Sequence, residues 1–313
     1  MAKKKRPFVP CDYTAVYDKL LDDIAEDQAR RLLDERGIVY ATKEIRAGKQ
    51  LEVEIYPEFT KTQAQRLIDP AARERMERAR KNLNEKNSRK RFERKIAENF
   101  DDGDIWATFT YSDENMPESE EQADRDFVNY IRRLNRLRKK RGLPNARYAY
   151  VQECSKKGRW HHHFIMDGLL DMDTVESIWK LGRRNNVRRL APDEDGLVGL
   201  AKYITKESAG KYKKKWKTSK GLSQPKESVN HYKFRKKHVQ QAVEDVENLK
   251  ERLAALYGKE GYVFRRAEIR FNEFNGQVYI YARMSKEKGK TSCRKKRDTK
   301  KDAAAPQEEI AGI

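Results

Sequence analysis

Five consecutive residues, Trp160-His161-His162-His163-Phe164, contain three of the chain's five histidines. On an extended strand, side chains alternate between the two faces, so His161 and His163 share one face while Trp160, His162 and Phe164 share the other. Two imidazoles side by side are a bidentate clamp for a divalent metal. A third donor is expected from the neighbouring stretch Arg147–Cys154. There Glu153 alternates opposite Tyr148, Tyr150 and Gln152, and the turn Ser155–Arg159 folds it back towards the histidines. Two nitrogens and one carboxylate leave coordination positions open for substrate oxygens, as a catalytic metal site requires. Imidazoles tilt such a site towards Mn²⁺ and cellular abundance favours Mg²⁺. A His-x-His pair on a strand is weak evidence by itself, because histidines beside Trp160 and Lys157 could equally contact phosphates.

The second candidate lies in Gly199–Glu207. Read as a helix over 197–208, it carries an apolar stripe of Leu197, Leu200, Ala201 and Ile204. Tyr203 and Lys206 are three residues apart on the flank of that stripe and are therefore surface neighbours. A tyrosine can attack a phosphodiester and form a covalent ester. Its phenol has a reference pKa of about 10, so it needs a nearby cation, base or metal to be nucleophilic at neutral pH. Lys206 can supply that charge or stabilise the phosphate. A Tyr-x-x-Lys pair alone is also what any exposed helix shows.

The elements that must position these groups occupy residues 104–210. Strands are expected at 106–111, 147–154, 160–166 and 186–190. Ser119 and Gln122 form a capping-box pattern for a helix carrying Phe127, Ile131, Leu134 and Leu137 and stopped by Gly142. A short helix is expected from Asp173 through Trp179. Short loops and an irregular strand–helix order indicate an α+β fold, an antiparallel sheet with flanking helices, extended by further helices and a β-hairpin.

Residues 1–103 read as an accessory region: a helix over 13–36, a hairpin over 38–56 turning at Ala47-Gly48, and a second helix beginning at Asp69-Pro70. That second helix is charged on most sides up to Phe100 and is expected on a surface or against DNA. Residues 211–240 hold eleven Lys or Arg and one Glu, net +10, half of the whole chain's +20. Within them Lys211, Lys213, Lys214, Lys215 and Lys217 interleave with Tyr212 and Trp216, a pattern suited to neutralising phosphates and stacking bases. Residues 241–284 carry the rest of an amphipathic helix spanning 239–257 and a hairpin whose strands flank Asn275-Gly276. The segment 285–313 is lysine-rich, then Ala/Glu-rich, and is expected to be disordered.

Composition narrows the function classes. Charged residues are 38% of the chain against 37% apolar, with Lys and Arg in excess, which points to a polyanionic partner, most commonly nucleic acid. Three scattered cysteines form no CxxC pair, so neither a disulfide framework nor a thiolate zinc site is indicated, and a reducing cytoplasm fits. The basic start MAKKKRPFVP has no apolar core behind it and no run is long enough to span a membrane. No P-loop is present, so helicase activity is not expected in this chain.

Taken in order, Ala107–Pro117 (ATFTYSDENMP), Glu153 with His161 and His163 (ECSKKGRWHHHF), and Tyr203 with Lys206 (YITK) resemble the three motifs of HUH endonucleases. The closest kind within them is the replication initiators of small phages and rolling-circle plasmids. The resemblance covers 104–207 and extends loosely to Phe274–Met284. The middle histidine, His162, stands where the family has an aliphatic residue, and Glu207 stands where two-tyrosine enzymes carry a second tyrosine. The resemblance implies an HUH/ferredoxin-like core and a metal held by Glu153, His161 and His163. It implies that Tyr203 nicks single-stranded origin DNA through a 5′-phosphotyrosine, leaving a 3′-OH primer for rolling-circle replication. It also implies host helicase and polymerase as partners in a bacterial cytoplasm. Two other readings stay open: a relaxase or transposase of the same chemistry, and a non-catalytic nucleic-acid-binding protein.

Overall fold

The computed structural model describes residues 19–20, 39–58, 87–155, 157–193, 196–197, 199–200, 216–272 and 277–286. Its frame is two antiparallel sheets. The sheet that carries the histidines has five strands: β4 (Ile105–Thr110), β5 (Tyr148–Cys154), β6 (Trp160–Met166), β7 (Asn186–Arg189) and β8 (Lys217–Thr218), in the order β7-β4-β6-β5-β8. The histidine strand is central. Period-two alternation divides its residues between two environments. On one side Phe109, Tyr150, His162 and Phe164 face a long helix, α2 (Glu120–Lys140), which contributes Phe127, Tyr130 and Leu134 to a shared core. Ring packing dominates this core: Phe109 lies 4.8 Å from Phe164 and 5.1 Å from both Tyr130 and Trp179, centroid to centroid. Each fully buried apolar side chain of this size stabilises the fold by about 1.5–3 kcal/mol.

Helix α2 starts where the capping pattern placed it, with the Ser119 hydroxyl accepting from the Gln122 amide at 3.2 Å. The reciprocal bond is displaced by one residue, since the Gln122 side chain accepts from the Glu118 amide at 3.2 Å. Arg138, fully buried near the end of the helix, donates to Asp167 at 2.9 Å and to the Pro144 carbonyl at 2.6 Å, fixing the helix to the far end of β6. The short helix α3 (Met172–Ser177) is capped by Asp171, whose carboxylate accepts from the Thr174 amide, two residues earlier than the sequence pattern placed its start.

The second sheet has six strands. β1 (Lys19–Leu20), β2 (Val39–Ala47), β3 (Gln50–Glu58), β9 (Lys226–Asn230), β10 (Tyr262–Asn272) and β11 (Gln277–Lys286) take the order β1-β10-β11-β3-β2-β9. The hairpin of the N-terminal region and the hairpin of the C-terminal region therefore pair with each other, Ile55 opposite Ile280 and Val53 opposite Ala282. Their common face is closed by α4 (Lys236–Glu244) and α5 (Val246–Tyr257). The amphipathic stretch 239–257 is thus two helices and not one. Asp245 interrupts it in an extended conformation and caps the second helix by accepting from the Glu247 amide at 2.9 Å. Of the helix expected over 13–36, only Lys19 and Leu20 are described. They are strand, paired to Arg270 and Phe271 on the edge of β10, where backbone groups were available for pairing. Ser285, expected to begin a disordered tail, is buried inside β11, which runs to Lys286; the rest of that tail lies outside the described residues.

The helix over 87–99, here α1, overturns the expectation of a surface or DNA-lying element. Phe92, Ile96 and Phe100 recur every four residues and are buried with Ala149, Val151 and Ile165 of the histidine sheet. From the same helix Arg94 reaches the other sheet, donating to Glu52 at 2.7 Å and Glu54 at 3.1 Å. α1 therefore joins the two sheets, and charges that made it look solvent-facing, among them Arg94, Lys95 and Glu98, have partners within the protein. Burial works against the charge of Glu52, yet Arg94 and then Arg283 outweigh it and hold this carboxyl below the usual carboxylate range. A depressed folded-state value means stability that is present above the ordinary carboxylate pKa and lost as pH falls through the folded one. Glu52→Gln is expected to cost about 3–5 kcal/mol at neutral pH, because it leaves buried guanidinium charge uncompensated. It should also flatten the acid limb of the stability curve. Urea unfolding at a series of pH values measures both, and an unaltered acid limb would remove Glu52 from the account.

Candidate metal centre and nucleic-acid face

Three strand registers build the site. β5 pairs with β6 so that Glu153 stands opposite His161, and β4 pairs with β6 so that Thr110 stands opposite His161 and Thr108 opposite His163. The β5–β6 turn sets this register. Gly158 takes φ +76°, which glycine tolerates best, and its amide donates to the Ser155 carbonyl at 2.9 Å. His161, His163 and Glu153 consequently project from one face, away from α2. The two imidazoles stack with centroids 6.4 Å apart and planes 22° from parallel. His163 Nε2 lies 3.2 Å from Glu153 Oε2, and His163 Nδ1 lies 2.9 Å from the Thr108 hydroxyl.

That last contact has chemical content. A hydroxyl can donate to Nδ1 or accept from it, so Thr108 supports either tautomer of His163 and keeps the ring edge with Nε2 turned towards Glu153. Burial, then the neighbouring His163, push the pKa of His161 below its ordinary value, which favours the neutral imidazole that a metal needs. Two imidazoles and a carboxylate on one face are a donor set that fits a divalent cation. Among the described residues no three His, Cys, Asp or Glu side chains are drawn together closely enough to form a metal-holding group. The pair Glu153–His163 is in contact, while His161 stands beside it without closing on the carboxylate.

His162 belongs to the opposite face and to a different role. It is fully buried among Phe127, Tyr111 and Trp179, whose ring centroids lie 5.2, 5.6 and 5.5 Å away. Its Nε2 shares a 2.9 Å hydrogen bond with the Tyr111 hydroxyl, and its Nδ1 has no partner. Burial above all, then His163, pushes its pKa down to about 3, so it is neutral at physiological pH. It acts as a core residue with a polar edge. His162→Leu is expected to preserve the fold, because losing one hydrogen bond, about 0.5–1.5 kcal/mol net, is offset by losing a buried unpaired nitrogen that costs about 1–3 kcal/mol. A melting temperature within a few degrees of wild type is the expected result; collapse of the fold would show that the Tyr111 bond matters more than packing.

The remaining sequence candidates are placed unevenly. Tyr203, Lys206, Lys211, Lys213, Lys214 and Lys215 lie outside the described residues. Trp216 is half buried, packed 5.4 Å from Phe92, with its indole N–H donating to the Ser88 hydroxyl at 3.1 Å. Lys217 pairs with Tyr150 across the strands and so points to the α2 face, where its ammonium is ion-paired to Asp124. Both residues serve contacts within the protein, and Lys217 faces away from the histidine pair. The tyrosines of this sheet, Tyr148 and Tyr150, alternate onto the α2 face, as does Tyr111 beyond the end of β4. Burial, reinforced by Asp126 at Tyr111 and Asp124 at Tyr150, raises both phenols far above the ordinary tyrosine range, which keeps them protonated.

Residues overlooked in the sequence are Thr108, which orients His163, and the edge pair Asn186 and Arg188, which share the histidine face. The first signal was available, since Thr108 alternates in phase with Trp106 and Thr110. The second depended on knowing that β7 pairs with β4.

An antiparallel α+β frame presenting paired imidazoles and a carboxylate on the sheet face opposite α2, beside the patch that α1 covers, thus occupies the middle of the chain. Residues 104–208, about a third of the sequence, match the family model of the replication-associated protein ORF2. No curated protein and no solved structure matches the chain. The matched segment contains both the described half of the site and the Tyr203/Lys206 pair, and it ties this region to DNA replication. Among the described residues no helix is long and apolar enough to cross a membrane.

Proposed function

We propose that the chain is a replication initiator of the rolling-circle kind, a metal-dependent endonuclease that nicks single-stranded origin DNA. The observation that carries this reading is the His161/His163 pair facing Glu153 with Thr108 behind His163, inside the segment that matches replication-associated proteins. Glu153, His161 and His163 would hold a divalent cation, Mg²⁺ or Mn²⁺. Bound there, such an ion would withdraw charge from a non-bridging phosphate oxygen. The Tyr203 phenol loses its proton and attacks the scissile phosphorus. The bond from phosphorus to the 3′-oxygen breaks, the 5′-phosphate becomes esterified to Tyr203, and the departing 3′-oxygen takes up a proton. The resulting 3′-OH serves a host polymerase as primer. Lys206, one turn from Tyr203, stabilises charge on the phenolate or the phosphate. The ester conserves the energy of the broken bond, so rejoining needs no nucleotide.

Incubation of the full chain with single-stranded origin DNA and Mn²⁺, followed by denaturing electrophoresis, tests the reading. A protein–DNA adduct that survives denaturation and disappears with a chelator is expected. Binding with no adduct under any divalent ion would leave a nucleic-acid-binding protein without this chemistry.

A further inference from the structure

We propose that Arg188, seated on Trp106 and bonded to Asn186, is a subsite for the backbone of single-stranded DNA passing over the histidine face. The inference begins with two adjacent arginines on β7 that alternate to opposite sides. Arg189, paired with Ile105, turns to the α2 side and directs its guanidinium to the carbonyls of Gly103, Gly168 and Leu170, each at 2.9 Å. Those bonds hold two loops together, and the side chain is structural. Arg188 pairs with Trp106 and Asn186 pairs with Thr108, which places both on the face of His161 and His163. Arg188 is exposed, and its guanidinium carbon lies 4.9 Å from the centroid of the Trp106 ring. Its Nε donates to the Asn186 side-chain oxygen at 3.0 Å. Among the described residues no carboxylate pairs with it.

A guanidinium held against an indole and fixed at Nε keeps its plane while its terminal nitrogens stay available. That is a preorganised donor for a phosphate, and it loses less conformational freedom on binding than a free surface arginine. β7 and β6 flank the same strand, so Asn186 and His163 are separated by two strand spacings, about 10 Å. A strand whose scissile phosphate sits at the histidines would reach Arg188 within a nucleotide or two. Among the described residues β7 is the outer strand of the sheet, and no described strand lies beyond it to block the path. The occupant is a single strand, the substrate of the nicking reading. The subsite rests on that reading only for the kind of strand and its direction.

The test measures binding of the full chain to an oligothymidine strand in a chelator, over a range of salt, so that cleavage plays no part. Arg188→Ala is expected to weaken binding about five- to tenfold and to reduce the salt slope by about 0.7, the share of one phosphate contact. Arg188→Lys should recover the slope but not the full affinity, because the charge returns without the fixed plane. Arg132→Ala, which removes an exposed charge from α2 on the other side of the sheet, should leave the slope unchanged. An unaltered slope for Arg188→Ala in a protein with wild-type melting temperature would overturn the proposal, as would an equal loss from Arg132→Ala. The two readings fail separately. Loss of slope in a protein that never forms an adduct keeps the subsite and removes the nicking chemistry, and the reverse result does the opposite.

Discussion

Tyr203→Phe is expected to abolish the covalent protein–DNA adduct while leaving folding and strand binding near wild type. The substitution removes one oxygen and keeps the ring. In the helical reading of the sequence Tyr203 also falls outside the apolar stripe of Leu197, Leu200, Ala201 and Ile204, so little loss of packing is expected. The expected fall in adduct formation is complete within detection, because no other described tyrosine in this sheet region is placed to replace it. Tyr111 is 2% exposed, hydrogen-bonded to His162, and on the α2 side of the sheet. Tyr150 is buried there too and bonded to Asp124. Both are held protonated, and a neutral phenol is a poor nucleophile. Lys206→Ala is a graded control. A charge that assists without bonding to DNA contributes about 10²–10⁴-fold at most, so residual adduct should remain. Peptide mapping of the wild-type adduct decides the matter: phosphate on Tyr212 or Tyr111 would sink the assignment.

Much of the histidine sheet could be read directly because its pattern is local. Alternation in Trp160–Phe164 and Tyr148–Cys154 fixes which side chains share a face, and one short turn fixes the register between them. The same logic placed a hairpin over 38–56, where the structure has β2 and β3 between Val39 and Glu58, and placed the start of α2 at Ser119. His162 was the ambiguous position. A third consecutive histidine leaves the ligand register open until the aromatic cage around it is seen, and that cage is assembled from Tyr111, Phe127 and Trp179, far apart in sequence.

What could not be read is pairing between distant segments. Nothing in Gln50–Glu58 names β11 as its neighbour, since any strand edge offers the same backbone donors and acceptors. The charged helix over 87–99 misled for a related reason. Its stripe of Phe92, Ile96 and Phe100 was narrow, and the carboxylates that accept Arg94 lie some forty residues earlier in the sequence. Trp216 and Lys217 belonged by composition to a basic block. Their partners, Ser88 and Asp124, are supplied by tertiary contacts that composition does not encode. Charge density alone therefore does not tell which residues of such a block are committed to contacts within the protein.

His161→Ala and His163→Ala are expected to abolish nicking while strand binding falls only a few-fold. The contrast follows from position. Both imidazoles lie on the face opposite α2, partly buried, and neither supports the aromatic core that carries the fold. Their removal takes away donors and leaves the cationic surface intact. The size of the effect is bounded from below by the shell behind them. Loss of an outer partner such as Thr108 typically costs about 10–100-fold in metal affinity, so loss of a ligand itself should exceed that range. Thr108→Val is accordingly the informative intermediate, because it is nearly isosteric and removes only the oxygen 2.9 Å from His163 Nδ1. Thr108→Ser should restore the bond and the affinity together. Titration with Mn²⁺, followed by the paramagnetic signal of the free ion, reads affinity without any turnover. The expected order is wild type and Thr108→Ser tightest, Thr108→Val weaker, and the two histidine variants weakest, with nicking rates following the same order at fixed metal. Mn²⁺ affinity unchanged in His161→Ala would remove that residue from the ligand set and leave Glu153 and His163, already in contact, to hold the ion with a donor from elsewhere in the chain.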